Sequence, residues 1–420
     1  MTAAHGGFGS EQVPLGGGAA VFERLCAAWQ GQSGLTLLAA GAGPRAPLGT
    51  DYTVLAPPAR EPSRLGVLEY ARFCHRFQDA STELALSVRP DLVLAHDISE
   101  GPNVEELHRA GIPVATIHHV DVVDIFGRLY MGGLVPPAWL TAGYRRLRHL
   151  PWPPVLKLVF EKQEQVMSLG SLNIVPSPGA ARLLQACYPQ AASATEVIGW
   201  GAPRLDLDDS QIAARARELR QEANIPAEHQ VVLTLSRLSP EKAQHRLLQA
   251  VALAEEEGRA PSNLTIVIAG APAFMQGQSH ARKLRKLASK LRTPVHFAGH
   301  VGGLDKAGWY RTADLFAVCS LHESYGLTTL EAMQQGCPVV AVSSYGTEAT
   351  VSPEVGRLVP RGGELVRRLW GELELLLGDR GRAERDRLSS AARARAESLT
   401  FPAAASRMLE QLRLSVQVPG

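Results

Sequence analysis

Glu323 and Glu331 stand eight positions apart, with a Tyr325-Gly326 turn between them that reads as the start of a helix. Amides around Tyr325, Gly326 and Leu327 would precede the first intrahelical bonds, which suits them to a phosphate or to sugar hydroxyls. Gly326 permits close approach of a ligand. The two carboxylates are then left for hydroxyl groups. A glutamate this close to a helix start is also an ordinary partner of the helix dipole, and the pair alone leaves both readings open. A second constellation lies upstream in Leu235-Ser-Arg-Leu-Ser-Pro-Glu-Lys-Ala243. Arg237 and Lys242 follow an apolar run, and Pro240 and Glu241 suit the opening of a helix. Two cations placed this way form a socket that can stabilise charge on a departing phosphate, a task Mg²⁺ performs elsewhere. Two solvated surface charges are the plainer alternative.

Other candidates are weaker singly. His118 ends the run Val114–Ile117, with His119 as the competing assignment. His96-Asp97 closes the preceding run in the same way. A strand-end histidine taken alone is more often a structural hydrogen-bonder. Gly16, Gly17 and Gly18 precede a helical pattern over 19–29 that places Val21, Leu25, Ala28 and Trp29 on one face. A lone glycine-rich loop is a weak signal, strengthened here by its place before that helix. Asp206-Leu-Asp208 fits a metal–diphosphate Asp-x-Asp spacing but falls on an expected linker, and reads as solvated. No metal site is expected.

The elements that must position these residues alternate. Short apolar runs at 35–40, 53–56, 91–95, 113–117, 172–175 and 196–198 are separated by helical patterns such as 19–29 and 63–87. Runs at 231–235, 264–269, 295–297, 314–319, 338–342 and 357–359 repeat the scheme, and 363–418 reads as helical. Such alternation predicts an α/β chain with parallel sheets covered by helices on both faces. At 420 residues two or three domains are expected, with a seam near Gly199–Asp206. The 43 basic and 41 acidic residues leave a net charge of +2, so nucleic acid is not expected as a partner. Five scattered cysteines without a Cys-x-x-Cys read as buried reduced thiols, which suits a cytoplasmic setting. No run of 18 apolar residues and no signal-peptide pattern is present. Met1–Ala4 is short for a central strand of about 5–6 residues, so an upstream start or a truncated strand is expected.

Taken together, these motifs resemble a known family. The Arg237–Lys242 pair, Val295-His-Phe-Ala-Gly-His-Val301, Ala313-Asp314, the Glu323/Glu331 spacing and Gly336-Cys-Pro-Val-Val340 look like retaining glycosyltransferases of family 4. The resemblance is dense over 231–359 and thinner across the first half. It implies the GT-B fold: two Rossmann-like domains with parallel sheets facing a central cleft. Residues 1–200 would form the acceptor-side domain and 201–400 the donor domain. Residues 401–420 would form a helix packing back on the first.

It also implies roles. Arg237 and Lys242 would grip the diphosphate of a nucleoside diphosphate sugar, and Glu323 would contact its sugar. Amides of Tyr325, Gly326, Leu327 and Thr328 would meet sugar and phosphate, and Glu331 the ribose. Val301, beside His300, would border the base. Gly16 and Gly17 would approach the diphosphate and acceptor, and His118 would hydrogen-bond the donor sugar. Closure would exclude water, charge would build on the leaving diphosphate without a metal or other cofactor, and the acceptor would attack from the same face. One departure from the family pattern is Ser343-Ser-Tyr-Gly-Thr-Glu348, which carries a single glycine where a pair is usual; the role of Glu348 is therefore open.

The acceptor has no motif. Residues 135–152 combine Leu140, Tyr144 and Leu147 on one helical face with Arg145, Arg146 and Arg148 off it, flanked by Trp139 and Trp152. One reading is a peripheral contact with the inner face of an anionic membrane, the other a half-buried helix near the acceptor site. Two further functions compete: a nucleotide-sugar epimerase of the same fold, and a binding protein that does not transfer.

Overall fold

The computed structural model describes residues 1–9, 17–47, 49–96, 98–130, 134–152, 154–203, 207–273 and 276–417. The chain divides into two compact units, one of residues 1–200 with 402–420 and one of residues 201–401.

In the first unit, Thr2–Ala3 (β1), Leu38–Gly41 (β2), Asp51–Val54 (β3), Val93–Ala95 (β4), Val114–Ile117 (β5), Leu172–Val175 (β6) and Thr195–Val197 (β7) form one sheet among the described residues. Its order is β3-β2-β1-β4-β5-β6-β7, every pairing parallel. In the second, Gln230–Leu235 (β8), Leu264–Ala269 (β9), Val295–Gly299 (β10), Leu315–Val318 (β11), Val339–Val342 (β12) and Gly356–Val359 (β13) pair in the order β10-β9-β8-β11-β12-β13. The second unit thus runs 3-2-1-4-5-6 from its own first strand, the Rossmann order, in which the chain reverses direction beside the first strand, and the first unit adds a seventh strand to the same order.

Helices on both faces explain why the central strands read as unbroken apolar runs rather than as alternation. β4, β5, β6, β9, β11 and β12 are buried along their whole length, whereas the edge strand β3 is largely exposed. The second unit's core gathers Val232, Ile266 and Ile268 with Leu247 and Leu369 around Trp370.

Several helix boundaries differ from those expected. Helix Gly17–Trp29 starts two residues before Ala19, so Gly17 and Gly18 lie in its first turn rather than in a loop. The helix expected from Ser63 begins at Val67, because Pro62–Arg64 makes a 3-10 turn and Gly66 follows it extended. Its first turn is held by the Glu69 carboxylate, which accepts from the Gly66 amide at 3.0 Å. The C-terminal helical stretch is three helices, Leu365–Leu376, Arg382–Ser398 and Phe401–Gln417. The last belongs to the first unit: Trp29 Nε1 donates to the Ala405 carbonyl at 3.0 Å and Arg413 to that of Ser33 at 3.1 Å. It also walls a cavity of about 640 Å³ at the amino ends of β1, β2 and β4, with Leu409 and Leu412 opposite Leu84 and Leu94.

Candidate active site

β8 and β11 are neighbours at the point where the second sheet reverses, and the loops after them carry the charged residues. After β8, Ser236 and Leu238 pair their amides with the Ala269 and Ala271 carbonyls, which keeps the segment extended past the strand end. Pro240–Lys242 then makes a single 3-10 turn, closed by Ala243 in the left-handed region at φ 50°. That turn sends Lys242 toward the loop after β11. Its Nζ lies 2.7 Å from Glu323 Oε2, with the two side chains 14% and 16% exposed. Arg237 is half-buried, 3.8 Å from Glu241, which also accepts from Ser239 Oγ at 2.6 Å. Burial alone would raise the Glu241 pKa, but Arg237, Ser239 and Lys242 outweigh it and hold the carboxyl below its usual range.

A buried relay supports Arg237 from behind. Gln244 donates to the Arg237 carbonyl at 2.7 Å and to Ser236 Oγ at 2.8 Å, and its Oε1 lies 2.8 Å from His280 Nε2.

After β11 the two loops are tied together, Leu321 donating to the Glu241 carbonyl at 3.0 Å. The turn through Tyr325 is buried, and the Gly201 amide donates to the Tyr325 hydroxyl at 3.2 Å. Gly326 takes φ 89° and ψ 59° as N-cap of helix Leu327–Gln334, a conformation that costs other residues free energy. The first bond to that cap comes from Thr329, so the amides of Leu327 and Thr328 precede the helical ladder. No acidic side chain occupies the first turn. Glu331, 5% exposed, sits farther along this helix. Lys306 Nζ is 3.2 Å from its Oε1, and Tyr310 donates to its Oε2 at 3.3 Å.

The loop after β12 packs onto the same turn. Ser344 caps helix Tyr345–Thr350, and Gly346 donates to the Glu323 carbonyl at 2.7 Å. A Cβ on Gly346 would fall 2.3 Å from the Tyr325 nitrogen. Its glycine is therefore required by contact with the Glu323 turn. Glu348 is exposed and accepts from Ser343 Oγ.

The structure thus gathers Arg237, Lys242, Glu323, Tyr325 and Gly326 at one strand crossing, with Leu327, Thr328 and Glu331 on the helix that follows. Val301 is half-buried and follows the edge strand β10. Gly16, Asp97 and Asp206 lie outside the described residues, and Asp208 is an exposed helix N-cap. Sequence reasoning missed Lys306, Tyr310, Gln244 and His280. Only Lys306 and Tyr310 carried a local signal, one face of a helix at spacing four.

The first unit builds its own cluster after β1, β4 and β5. Gly6 and Gly7 run against Gly43, with Tyr52 Oη donating to the Gly43 carbonyl at 2.8 Å. His96 stacks on His119 at 5.4 Å, and His119 lies 5.6 Å from Trp200. A Cβ on Gly18 would lie 3.2 Å from the His119 ring, so His119 abuts the start of helix Gly17–Trp29. His118 points elsewhere, its Nε2 lying 2.9 Å from Asn173 Oδ1. Burial lowers His118 to a pKa of about 4 and His119 to about 3.

In helix Pro137–Leu147 only part of the expected apolar face is buried. Tyr144 stacks on Phe160 at 4.6 Å, but Leu147 is 42% exposed and Trp139 75%. Arg145 is not a free surface charge: it pairs with Glu164 at 2.9 Å and lies over the Tyr188 ring. No helix among the described residues is long and apolar enough to cross a membrane.

Residues 215–395, which hold Arg237, Lys242, Glu323 and Glu331 but nothing of the first unit, match the family described as glycosyl transferases group 1. The match covers less than half of the chain and lies within the second unit. A relative from Saccharomonospora viridis named D-inositol 3-phosphate glycosyltransferase is 34% identical over 202 residues, covering 47% of this chain and 46% of its own. The next two relatives of that name match over 33% and 51% of their lengths, so the chain spans about half the length of the curated relatives it matches. Sucrose-phosphate synthase from Thermosynechococcus elongatus superimposes with a TM-score of 0.73 at 20% identity, over 98% of this chain and 97% of that one. HepE of Anabaena, solved with UDP and glucose, gives 0.66 at 20% identity, over 95% and 96%. At such identities the likeness shows the fold alone, GT-B.

Proposed function

We propose that this protein is a retaining glycosyltransferase that moves a sugar from a nucleoside diphosphate sugar to an acceptor hydroxyl without a metal ion. The observation that carries the reading is the 2.7 Å contact of Lys242 with Glu323 where the second sheet reverses, beside an open helix start. In such a site Arg237 and Lys242 take the charge of the leaving diphosphate, a role that makes a metal unnecessary. Glu323 and the amides of Tyr325, Gly326, Leu327 and Thr328 hold the sugar and phosphates. Glu331 receives the ribose hydroxyls, with Lys306 and Tyr310 fixing its carboxylate. The printed names of the relatives and of the UDP-bound neighbour accord with this reading.

Thermal-shift titration with UDP, GDP and ADP sugars identifies the donor. With that donor, Lys242→Ala is expected to lower turnover at least about a hundredfold, and chelator to leave it unchanged. Turnover intact in Lys242→Ala, or lost with chelator, overturns the mechanism. An epimerised donor formed without acceptor assigns the protein to epimerases instead, and tight binding without turnover makes it a binding protein.

The exposed Trp139, Leu147 and Leu150 beside exposed Arg146 and Arg148 support a peripheral contact with an anionic membrane from the cytoplasmic side. Flotation with vesicles of anionic lipid is expected, and Trp139→Ser with Arg146→Ser and Arg148→Ser should abolish it. An unmodified protein that stays with the soluble fraction ends this part of the reading.

A further inference from the structure

The segment after β8 carries both Arg237 and Lys242, and a strand supports it on one edge only. Ser236 and Leu238 donate their amides to the Ala269 and Ala271 carbonyls. Main-chain groups alternate in direction along an extended chain, so the Arg237 carbonyl points the other way. No strand meets it there, because β11 pairs with β8 farther back, at Val232 and Leu233. Gln244 takes the place of a strand. Its Nε2 donates to the Arg237 carbonyl at 2.7 Å and to Ser236 Oγ at 2.8 Å. A carbonyl only accepts, so the carboxamide nitrogen must face Arg237 and Oε1 must face His280. His280 Nε2, 2.8 Å from that oxygen, then carries the ring proton. Gln244 is 1% exposed and His280 4%. With its nitrogen and its oxygen both engaged, the carboxamide has one orientation. Between Arg237 and Gln244 the chain passes through the 3-10 turn at Lys242 and the left-handed Ala243. Gln244 therefore fastens the loop 237–244 at its base.

We propose that Gln244 is a positioning residue: by closing this loop, with His280 as its brace, it holds Arg237 and Lys242 in one arrangement, so that both engage a diphosphate together. The lock stands on hydrogen bonds within the second unit, and only the nature of the ligand as a nucleoside diphosphate rests on the transferase reading. A consequence for ligand class follows. Two cations fixed in advance reward a second phosphate, because no ordering of the loop is charged against its binding. Two cations on a loose loop lose most of that reward. The preference for diphosphate over monophosphate therefore resides at the base of the loop, in side chains that touch no ligand.

The test measures the affinity of the full chain for UDP and for UMP by calorimetry; where GDP or ADP is the nucleotide bound, it and its monophosphate replace them. The unmodified protein should prefer the diphosphate by about tenfold or more. Gln244→Met keeps the length of the side chain and removes its hydrogen bonds. It should weaken the diphosphate about tenfold and the monophosphate far less, so that the preference narrows. Beside Arg237→Ala the same change should cost less than about twofold, because the residue being positioned is gone. Equal loss for the two nucleotides, or an undiminished effect beside Arg237→Ala, marks a merely structural role and overturns the proposal. Should Gln244→Met fail to fold, His280 carries the test. His280→Leu frees the carboxamide to turn and should narrow the preference, whereas His280→Gln keeps a donor near Nε2 and should restore it. The same preference in both variants overturns the lock. If no nucleotide binds the unmodified protein, the transferase reading fails and the lock is judged on crystal structures alone. A displaced Arg237 main chain in Gln244→Met then upholds it, and an unmoved one overturns it.

Discussion

At the scale of single residues the site depends on carboxylates paired with lysines. Glu331 and Lys306 are 6% and 14% exposed in their side chains, so deleting one partner strands the other away from water. Lys306→Met is expected to cost about 2–4 kcal/mol in unfolding free energy, and adding Glu331→Gln should recover part of it, measured as a double-mutant cycle in urea. If the two effects simply add, the pair is not coupled. Gly346→Ala should lower the melting temperature by an amount equal to about 1–3 kcal/mol and weaken nucleotide binding, because its Cβ collides with backbone at Tyr325. Gly363→Ala, with nothing within 4 Å, is the neutral control. Much of this clustering was legible in the sequence. Lys242, Glu323 and Glu331 lie in short motifs whose spacing survives folding. Lys306 was not legible as a partner of Glu331, because that contact joins two helices 25 residues apart.

At the scale of elements, the central strands could be read because burial on both faces leaves them continuously apolar, as in Leu264–Ala269. Helix starts were harder. Ser63 resembles an N-cap, yet the residues after it turn as 3-10 and Gly66 takes the capping position. The sheet order came only with the family resemblance, since strand neighbours are set by crossovers and not by composition. That order is what makes the β8 and β11 loops adjacent. The loop after β11 is also pinned from outside by the Gly201 amide on the Tyr325 hydroxyl. Tyr325→Phe should leave that amide short of a partner and cost about 1–3 kcal/mol. Hydrogen exchange should show faster exchange confined to the segment around Gly201 and the start of helix Leu327–Gln334. Uniform acceleration across the second unit would mean that the hydroxyl is a general stabiliser and not a local pin.

At the scale of the whole molecule, buried neutral histidines make stability depend on acid. The unfolded rings take protons near 6.5, the folded His118 and His119 only near 4 and 3, and His96 also lies well below its usual value. Between those limits the unfolded chain binds more protons, so stability falls as pH drops from about 6.5 toward 4. By pH 5 the loss is of the order of 2 kcal/mol for each of His118 and His119, read as a lower melting temperature than at pH 7.5. Gln at both 118 and 119 should flatten the dependence, and an unchanged slope would place its origin elsewhere. The closing helix Phe401–Gln417 carries a consequence of another kind, in time rather than space. Trp29 is made 376 residues before its partner Ala405. The second unit is encoded inside the first, so translation completes it while the first still lacks a wall. At ~5–20 residues per second that wait lasts roughly 10–40 s. A released chain ending at Phe401 should therefore protect the second unit from protease and leave the first open to cleavage.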